Sequence, residues 1–399
     1  TFTIPVMRKM GMPAVKAGAI EVAASTNGQL MPPIMGAAAF IMAEYIGISY
    51  MEVVKAAIVP ALISYMALLY ISHLEALKLD LKGMPRADIP HLWKTFISGL
   101  HYLLPIIVLV YLLMIKRWTP GSAVFYSILF LMGIILVQHF WRPNKAEDSI
   151  WTRFKSGATD VIQGMVSGTR NMITIGVAVA TAGIIVGAVS STGLNNAMVG
   201  LVEAIAGNNI YLLLGLTALL CLILGIGLPT TANYLVVASL MAGVLVELGS
   251  AAGLTLPIIA VHLFVFYFGL LADDTPPVCL AAYAASAISR ADPIKTGIQA
   301  FTYDIRTAIL PFVFIFNPQL LLIGITSWWH GISVFLVALV AILSFSSATQ
   351  GWLLIRNRWY ESLVLLLATW ILFLPNAAMN RIWPEYEAVE LGKNKIHVA

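Results

Sequence analysis

The sequence predicts an all-α integral membrane protein built around two re-entrant helical hairpins. Three observations lead there. Of 399 residues, 60% are hydrophobic and only 11% charged, where a soluble domain carries roughly a quarter charged. Mean hydropathy is +0.89, and repeated long apolar runs, such as 103–115 followed at once by 123–137, approach the length of about 20 residues that a bilayer span needs. Two Pro-Pro pairs, Pro32-Pro33 and Pro276-Pro277, are the only such dipeptides in the chain, and each sits midway between two short apolar runs. Polar, unwound backbone at membrane depth is tolerated only where it lines a cavity or is buried in protein.

The same composition removes several function classes. A net charge of +4 arises from Lys and Arg residues scattered through short connectors, as loops beside a membrane often are, so no nucleic-acid surface is indicated. Cys221 and Cys279 stand alone in apolar helices and read as small buried hydrophobes. No CxxC, HExxH or histidine cluster is present, so neither a metalloenzyme nor an organic cofactor has support.

In chain order, 14–24 and 36–46 are helices too short to span, parted by the polar stretch Ser25-Thr26-Asn27-Gly28-Gln29 and the first Pro-Pro pair. A span over 51–71 contains Pro60, which removes a backbone donor and kinks a helix. A charged connector over 72–94 leads to spans 100–115 and 123–140, with Lys116-Arg117 at the turn. The polar stretch 141–170 reads as a surface or bracing helix; the Gly- and Ala-rich span 172–189 suits close helix packing. A short helix over 198–206 precedes 211–224, which runs into Gly225-Ile226-Gly227-Leu228-Pro229-Thr230-Thr231-Ala232-Asn233, a break made by glycine and proline. The second hairpin comprises 257–271 and 278–289 around Asp273-Asp274-Thr275. Spans 304–323 (with Pro311), 332–347 and 362–374 and a polar tail over 381–399 complete the chain.

The hairpins align without a gap. Pro32, Pro33, Ala37, Ala38, Ala43 and Ala56 fall on Pro276, Pro277, Ala281, Ala282, Ala287 and Ala300, an offset of 244 (32 to 276). Duplicated broken apolar segments are the best sequence pointer to a transporter binding site. The expected organisation is a first-repeat hairpin and following broken helix over 1–75, then connector, two spans and bracing helix over 76–170. A second repeat over 171–325 and extra C-terminal helices with a tail over 326–399 follow. Charge does not fix the orientation of the two halves.

Half-helix ends and free carbonyls at such tips gather ions, and hydroxyl and amide oxygens suit a hard monovalent cation. Ser25, Thr26, Asn27, Gly28 and Gln29, with Thr230, Thr231 and Asn233, fit that role; a solvent-exposed loop is the bland alternative. Adjacent carboxylates at membrane depth mark function by default, so Asp273 and Asp274 coordinate a cation, carry a proton, or cap the next half-helix. Asp274 or Thr275 at the N-cap with Pro276 in the first turn follows capping preferences. Glu44 and His262 are lone polar groups that read as hinge, surface or packing contacts. Trp328, Trp329 and Trp352 suit an interfacial belt. An ion-translocating subunit or channel uses the same broken helices, and a membrane-embedded enzyme would use the Asp pair.

Residues Ala24 to Glu44, with Gly225 to Tyr234 and His262 to Val278, resemble the hairpin and broken-helix motifs of the DctM-like large membrane subunit of tripartite ATP-independent periplasmic (TRAP) transporters. The resemblance covers Thr1 to Leu322 and is similar to the fused permeases that work with TAXI-type binding proteins. It implies an inverted-repeat elevator fold in a bacterial or archaeal cytoplasmic membrane, importing organic acids on a Na⁺ gradient. Expected partners are a periplasmic solute-binding protein of TAXI type, a small membrane subunit fused upstream, and the lipid bilayer. The site implied comprises Ser25, Thr26, Asn27, Gly28, Gln29, Pro32 and Pro33, then Gly227, Pro229, Thr230, Thr231 and Asn233, then Asp273, Asp274, Thr275 and Pro276. Na⁺ as coupling ion would be held through Ser25, Asn27, Thr230, Asn233 and Asp274. The family's first-repeat broken helix would lie upstream of Thr1, so the chain reads as N-terminally incomplete.

Overall fold

The computed structural model describes residues 3–85, 89–141, 149–193, 204–206, 209–225, 230–251, 254–276, 279–373, 389–391 and 394–396. Six of the described helices are long and apolar enough to cross a membrane: Tyr50–Lys78, Leu92–Ile115, Gly121–His139, Thr230–Ser250, Pro293–Phe316 and Trp328–Gln350. The fold is all-α, apart from a short antiparallel pair in the tail, Val389–Leu391 with Asn394–Ile396.

The two hairpins have matching anatomy. Ala14–Asn27 and Ile258–Leu271 share both boundaries at the 244-residue offset (14 to 258, 27 to 271). Each leads through a turn to a ten-residue helix, Ala37–Ile46 or Leu280–Ser289, and then to a long helix, Tyr50–Lys78 or Pro293–Phe316. The short helices end on residues in the left-handed region, Gly47 (φ 75°) and Arg290 (φ 57°). Glycine adopts that conformation at no steric cost; arginine must be held there. The long helices open with short oxygen-bearing N-caps, Ser49 accepting from Glu52 N and Asp292 from Lys295 N, the commonest way to satisfy first-turn amides. Pro60 and Pro311 lie inside them.

Ile258–Leu271 is the core of the molecule: every side chain from Ala260 to Leu271 is buried. An apolar helix without a polar face belongs in such a position. Phe264 and Phe268 meet Phe312 edge-on, with ring centroids 5.3 and 5.5 Å apart, and Tyr267 meets Phe314 likewise at 5.5 Å. Leu92–Ile115 and Gly121–His139 lie at the other extreme. Only 11% of each apolar window is buried, as expected of spans that face acyl chains or another subunit. Trp328–Gln350 packs against both Trp359–Phe373 and Tyr50–Lys78, and on the latter Tyr70 Oη lies 2.8 Å from Ser347 Oγ. Asn317 Nδ2 donates to the Phe373 carbonyl at 2.7 Å, tying the second long helix to Trp359–Phe373.

Several boundaries differ from the sequence reading. Residues 150–192 form one helix of 43 residues rather than a bracing helix followed by a separate span, because no proline interrupts it. The first long helix continues to Lys78, into the stretch read as a connector: Glu75 is buried between Lys16 Nζ (2.5 Å) and Lys78 Nζ (2.8 Å). The span placed at 304–323 is Pro293–Phe316, so Asp304 and Arg306 sit mid-helix. Leu92–Ile115 is interrupted by a tighter turn at Leu100–Leu103 and a wider one at Tyr111–Ile115.

Candidate functional site

The first hairpin tip is less unwound than its composition suggests. Ser25, Thr26 and Asn27 form the last turn of Ala14–Asn27, followed by a 3₁₀ turn at Gly28–Leu30. Ser25 points outward and is exposed; Thr26 and Asn27 are buried. Gly36 N donates to the Gln29 carbonyl at 2.8 Å, closing the tip, and the Pro32-Pro33 peptide is cis. Tyr50 Oη donates to the Pro33 carbonyl at 2.8 Å, and its ring stacks on Phe40 with centroids 4.4 Å apart. Tyr50→Phe keeps the stack and loses the hydrogen bond. We expect a stability loss of about 1 kcal/mol in thermal unfolding of the purified protein, and an unchanged melting curve would deny the anchor.

Asn27 is the hub of a buried polar cluster. Its Nδ2 donates to the Ala23 carbonyl (2.6 Å) and to Asp304 Oδ1 (2.8 Å). Its Oδ1 accepts from Ser64 Oγ (2.8 Å) and Thr307 Oγ1 (3.1 Å). Beside it, Thr26 Oγ1 donates to Asp274 Oδ1 at 2.7 Å and lies 2.9 Å from the Val22 carbonyl. Arg306 is 1% exposed; its Nη1 donates to Asp304 Oδ1 (2.9 Å) and to the Tyr303 carbonyl, and its Nε to the Ser64 carbonyl (3.2 Å). The first hairpin, the second tip and both long helices thus converge at one point. Two carboxylates, Asp274 and Asp304, face one guanidinium there, both fully buried.

Asp273 belongs to a different group. Its Oδ2 accepts from Thr230 Oγ1 at 2.6 Å, at the start of Thr230–Ala251, while Asn233 Nδ2 reaches the carbonyls of Cys221 (3.0 Å) and Gly269 (3.3 Å). The sequence places the two aspartates together; the turn at 272–276 sends them to opposite neighbours. Neither Asp274 nor Thr275 caps the next half-helix. That helix starts at Leu280 with Cys279 in the N-cap position, and Thr275 Oγ1 donates back to the Leu271 carbonyl at 2.6 Å. Thr231 and Pro276 are half-buried, and Gly227, Pro229 and Pro277 lie outside the described residues. His262 is buried with Nδ1 2.8 Å from Tyr234 Oη, a packing contact, and Glu44 is exposed.

Three acceptor oxygens around these groups are buried without an N–H or hydroxyl donor: Asn233 Oδ1, Asp274 Oδ2 and Asp304 Oδ2, the last two on carboxyl groups that hydrogen-bond each other. Among the described residues, no group of three or more His, Cys, Asp or Glu side chains is placed to hold a metal ion. The chemistry available is that of scattered hard oxygens at a junction of helix ends. A family model described as the DctM component of the tripartite ATP-independent periplasmic transporter matches residues 1–329.

The chain belongs to the DctM family.

DctM proteins are the large permease components of TRAP secondary transporters, so this multi-pass membrane protein is a transporter component and not an enzyme. Membership implies a periplasmic binding protein and a small membrane subunit as partners. A second model, a domain of unknown function designated DUF3394, matches residues 331–398, which cover most of the C-terminal helix pair. No curated protein matches the chain.

For this DctM chain the sequence reading missed Ser64, Asp304, Arg306 and Thr307. Asp304 and Arg306 carried a usable signal. Both are ionisable residues inside a span, which mark a site as readily as the Asp273-Asp274 pair does. Ser64 and Thr307 carried none, since hydroxyls on spans bond their own helix as often as they reach across.

Proposed function

We propose that this chain is the Na⁺-coupled permease of a binding-protein-dependent importer of organic acids, working by an elevator motion in a bacterial or archaeal cytoplasmic membrane. A TAXI-type periplasmic protein would deliver the acid, and a small membrane subunit, fused upstream, would complete the permease. One observation carries the ion assignment. The junction of the two hairpins buries two carboxyl groups that hydrogen-bond each other against one guanidinium, and no other group donates to Asp274 Oδ2 or Asp304 Oδ2. Hard anionic oxygens excluded from water favour a small cation. Asn233 Oδ1, with the Thr230 and Asp273 pair, supplies a second group of the same character. Carboxylate in the first tip's partner, amide and hydroxyl in the tip itself, and a mid-membrane position on broken helices are the features by which such transporters hold coupling ions.

The test is counterflow uptake in proteoliposomes by the complete permease with its binding protein. Wild-type uptake should saturate and require Na⁺. Asp274→Asn and Asn27→Ala should raise the Na⁺ concentration for half-maximal uptake about tenfold or more, the equivalent of one charge-assisted contact, with membrane insertion intact. Wild-type Na⁺ dependence in both variants would sink the site assignment. Current that passes without saturation would favour a channel instead.

A further inference from the structure

Arg306 occupies a place where its fixed charge has the ligands of an ion. Its guanidinium is 1% exposed and is held by two main-chain carbonyls, Ser64 and Tyr303, and one carboxylate oxygen, Asp304 Oδ1. Carbonyl and carboxylate oxygens are the donor set of a hard cation. The carbonyls come from both long helices, so the guanidinium bridges the two repeats. Its Nη2 has no partner, so the group is not matched to its surroundings as a bidentate arginine–carboxylate fork would be. A structural salt bridge alone would be expected to use that fork. What the cluster needs from Arg306 is one positive charge: two fully buried carboxylates, Asp274 and Asp304, stand against it.

We propose that Arg306 is a tethered cation, filling one oxygen cage between the repeats that a free monovalent ion would otherwise occupy, and so setting how many mobile cations the site takes up. Arginine stays charged in proteins, which makes it a permanent occupant. With Arg306 removed, the same two carboxyl groups leave one more negative charge for a mobile ion to balance. The inference rests on the Na⁺-coupled reading above only for the identity of the mobile ion.

The experiment is a Na⁺ titration of thermal unfolding on the purified full-length permease. Choline replaces Na⁺ at constant ionic strength, and wild type, Arg306→Ala and Arg306→Lys are compared. Stabilisation by a bound ion grows with the logarithm of its concentration, in proportion to the number bound. Arg306→Ala should melt lower in choline, recover in Na⁺, and show a limiting slope steeper than wild type by one ion. Arg306→Lys should keep the wild-type slope. A wild-type slope in Arg306→Ala, or destabilisation that saturating Na⁺ does not relieve, would overturn the proposal; so would failure of Arg306→Ala to fold in saturating Na⁺. A flat wild-type titration would instead overturn Na⁺ coupling. In that case, a gain of Na⁺ response in Arg306→Ala would still uphold the tethered cation.

Discussion

Asp304→Ala is expected to be the most destabilising single change at the hairpin junction. One carboxylate oxygen, Asp304 Oδ1, accepts from Asn27 Nδ2 at 2.8 Å and Arg306 Nη1 at 2.9 Å, with Thr307 Oγ1 lying 3.2 Å away. Removing it leaves a buried guanidinium without the carboxylate that contacts it and an amide without one acceptor. Breaking a buried ion pair from one side costs about 3–5 kcal/mol, which thermal unfolding would register as a large fall in melting temperature. Uptake should fall with it, because Asn27 loses the contact that fixes it between the repeats. Adding Arg306→Met to Asp304→Ala should recover part of the loss, since replacing both partners by apolar groups is far milder than orphaning one. A double variant no more stable than Asp304→Ala would show that the pair is not coupled.

Gly225→Ala is expected to follow closely. A Cβ at Gly225 would lie 2.5 Å from Asn233 Nδ2, 2.9 Å from the Cys221 carbonyl, and closer still to the Cβ of Ala272. Two of these belong to stiff parts of the fold: the carbonyl is helical backbone, and Ala272 opens the turn that carries Asp273 and Asp274. Overpacking of this kind costs about 1–3 kcal/mol, occasionally more. Here the strain falls on Asn233 and the aspartate turn together, so the loss of uptake should exceed what the loss of stability explains. Gly215 offers the control, because an added Cβ there meets no neighbour within 4 Å. Gly215→Ala should leave both measurements near wild type, and a comparable defect there would remove the steric explanation.

Much of this arrangement is legible in the chain. The paired prolines and their gap-free offset locate both hairpins, and the helix boundaries 14 to 27 and 258 to 271 keep that offset. Asn27 and Asp274 stand out as polar residues at membrane depth, and both lie in the same buried cluster. What the chain hides is long-range. Thr26 and Asn27 read as loop residues because polar composition mimics unwinding, yet each lies within hydrogen-bond reach of a carbonyl four residues back, and the helix continues through them. The adjacency of Asp273 and Asp274 suggests a shared role, but a turn can aim successive side chains at different elements. Ser64 and Thr307 gain meaning only once the two long helices are brought together. The unbroken helix over 150–192 was obscured by a change from polar to apolar composition, which alters a helix's surroundings without ending it.

Those same carbonyls bear on how the protein is made. Thr26 is 248 residues ahead of Asp274, and Asn27 is 277 ahead of Asp304. At roughly 5–20 residues per second of synthesis, the first hairpin therefore waits about 10–60 s before its partners exist. A bare amide in hydrocarbon over that interval would be an invitation to mispair. Asn27 Nδ2 on the Ala23 carbonyl and Thr26 Oγ1 near the Val22 carbonyl give the nascent hairpin an interim partner from its own turn. When the second half arrives, Asn27 keeps that bond and adds Asp304 through its other amide hydrogen. Thr26, with a single hydroxyl proton, must instead exchange Val22 for Asp274.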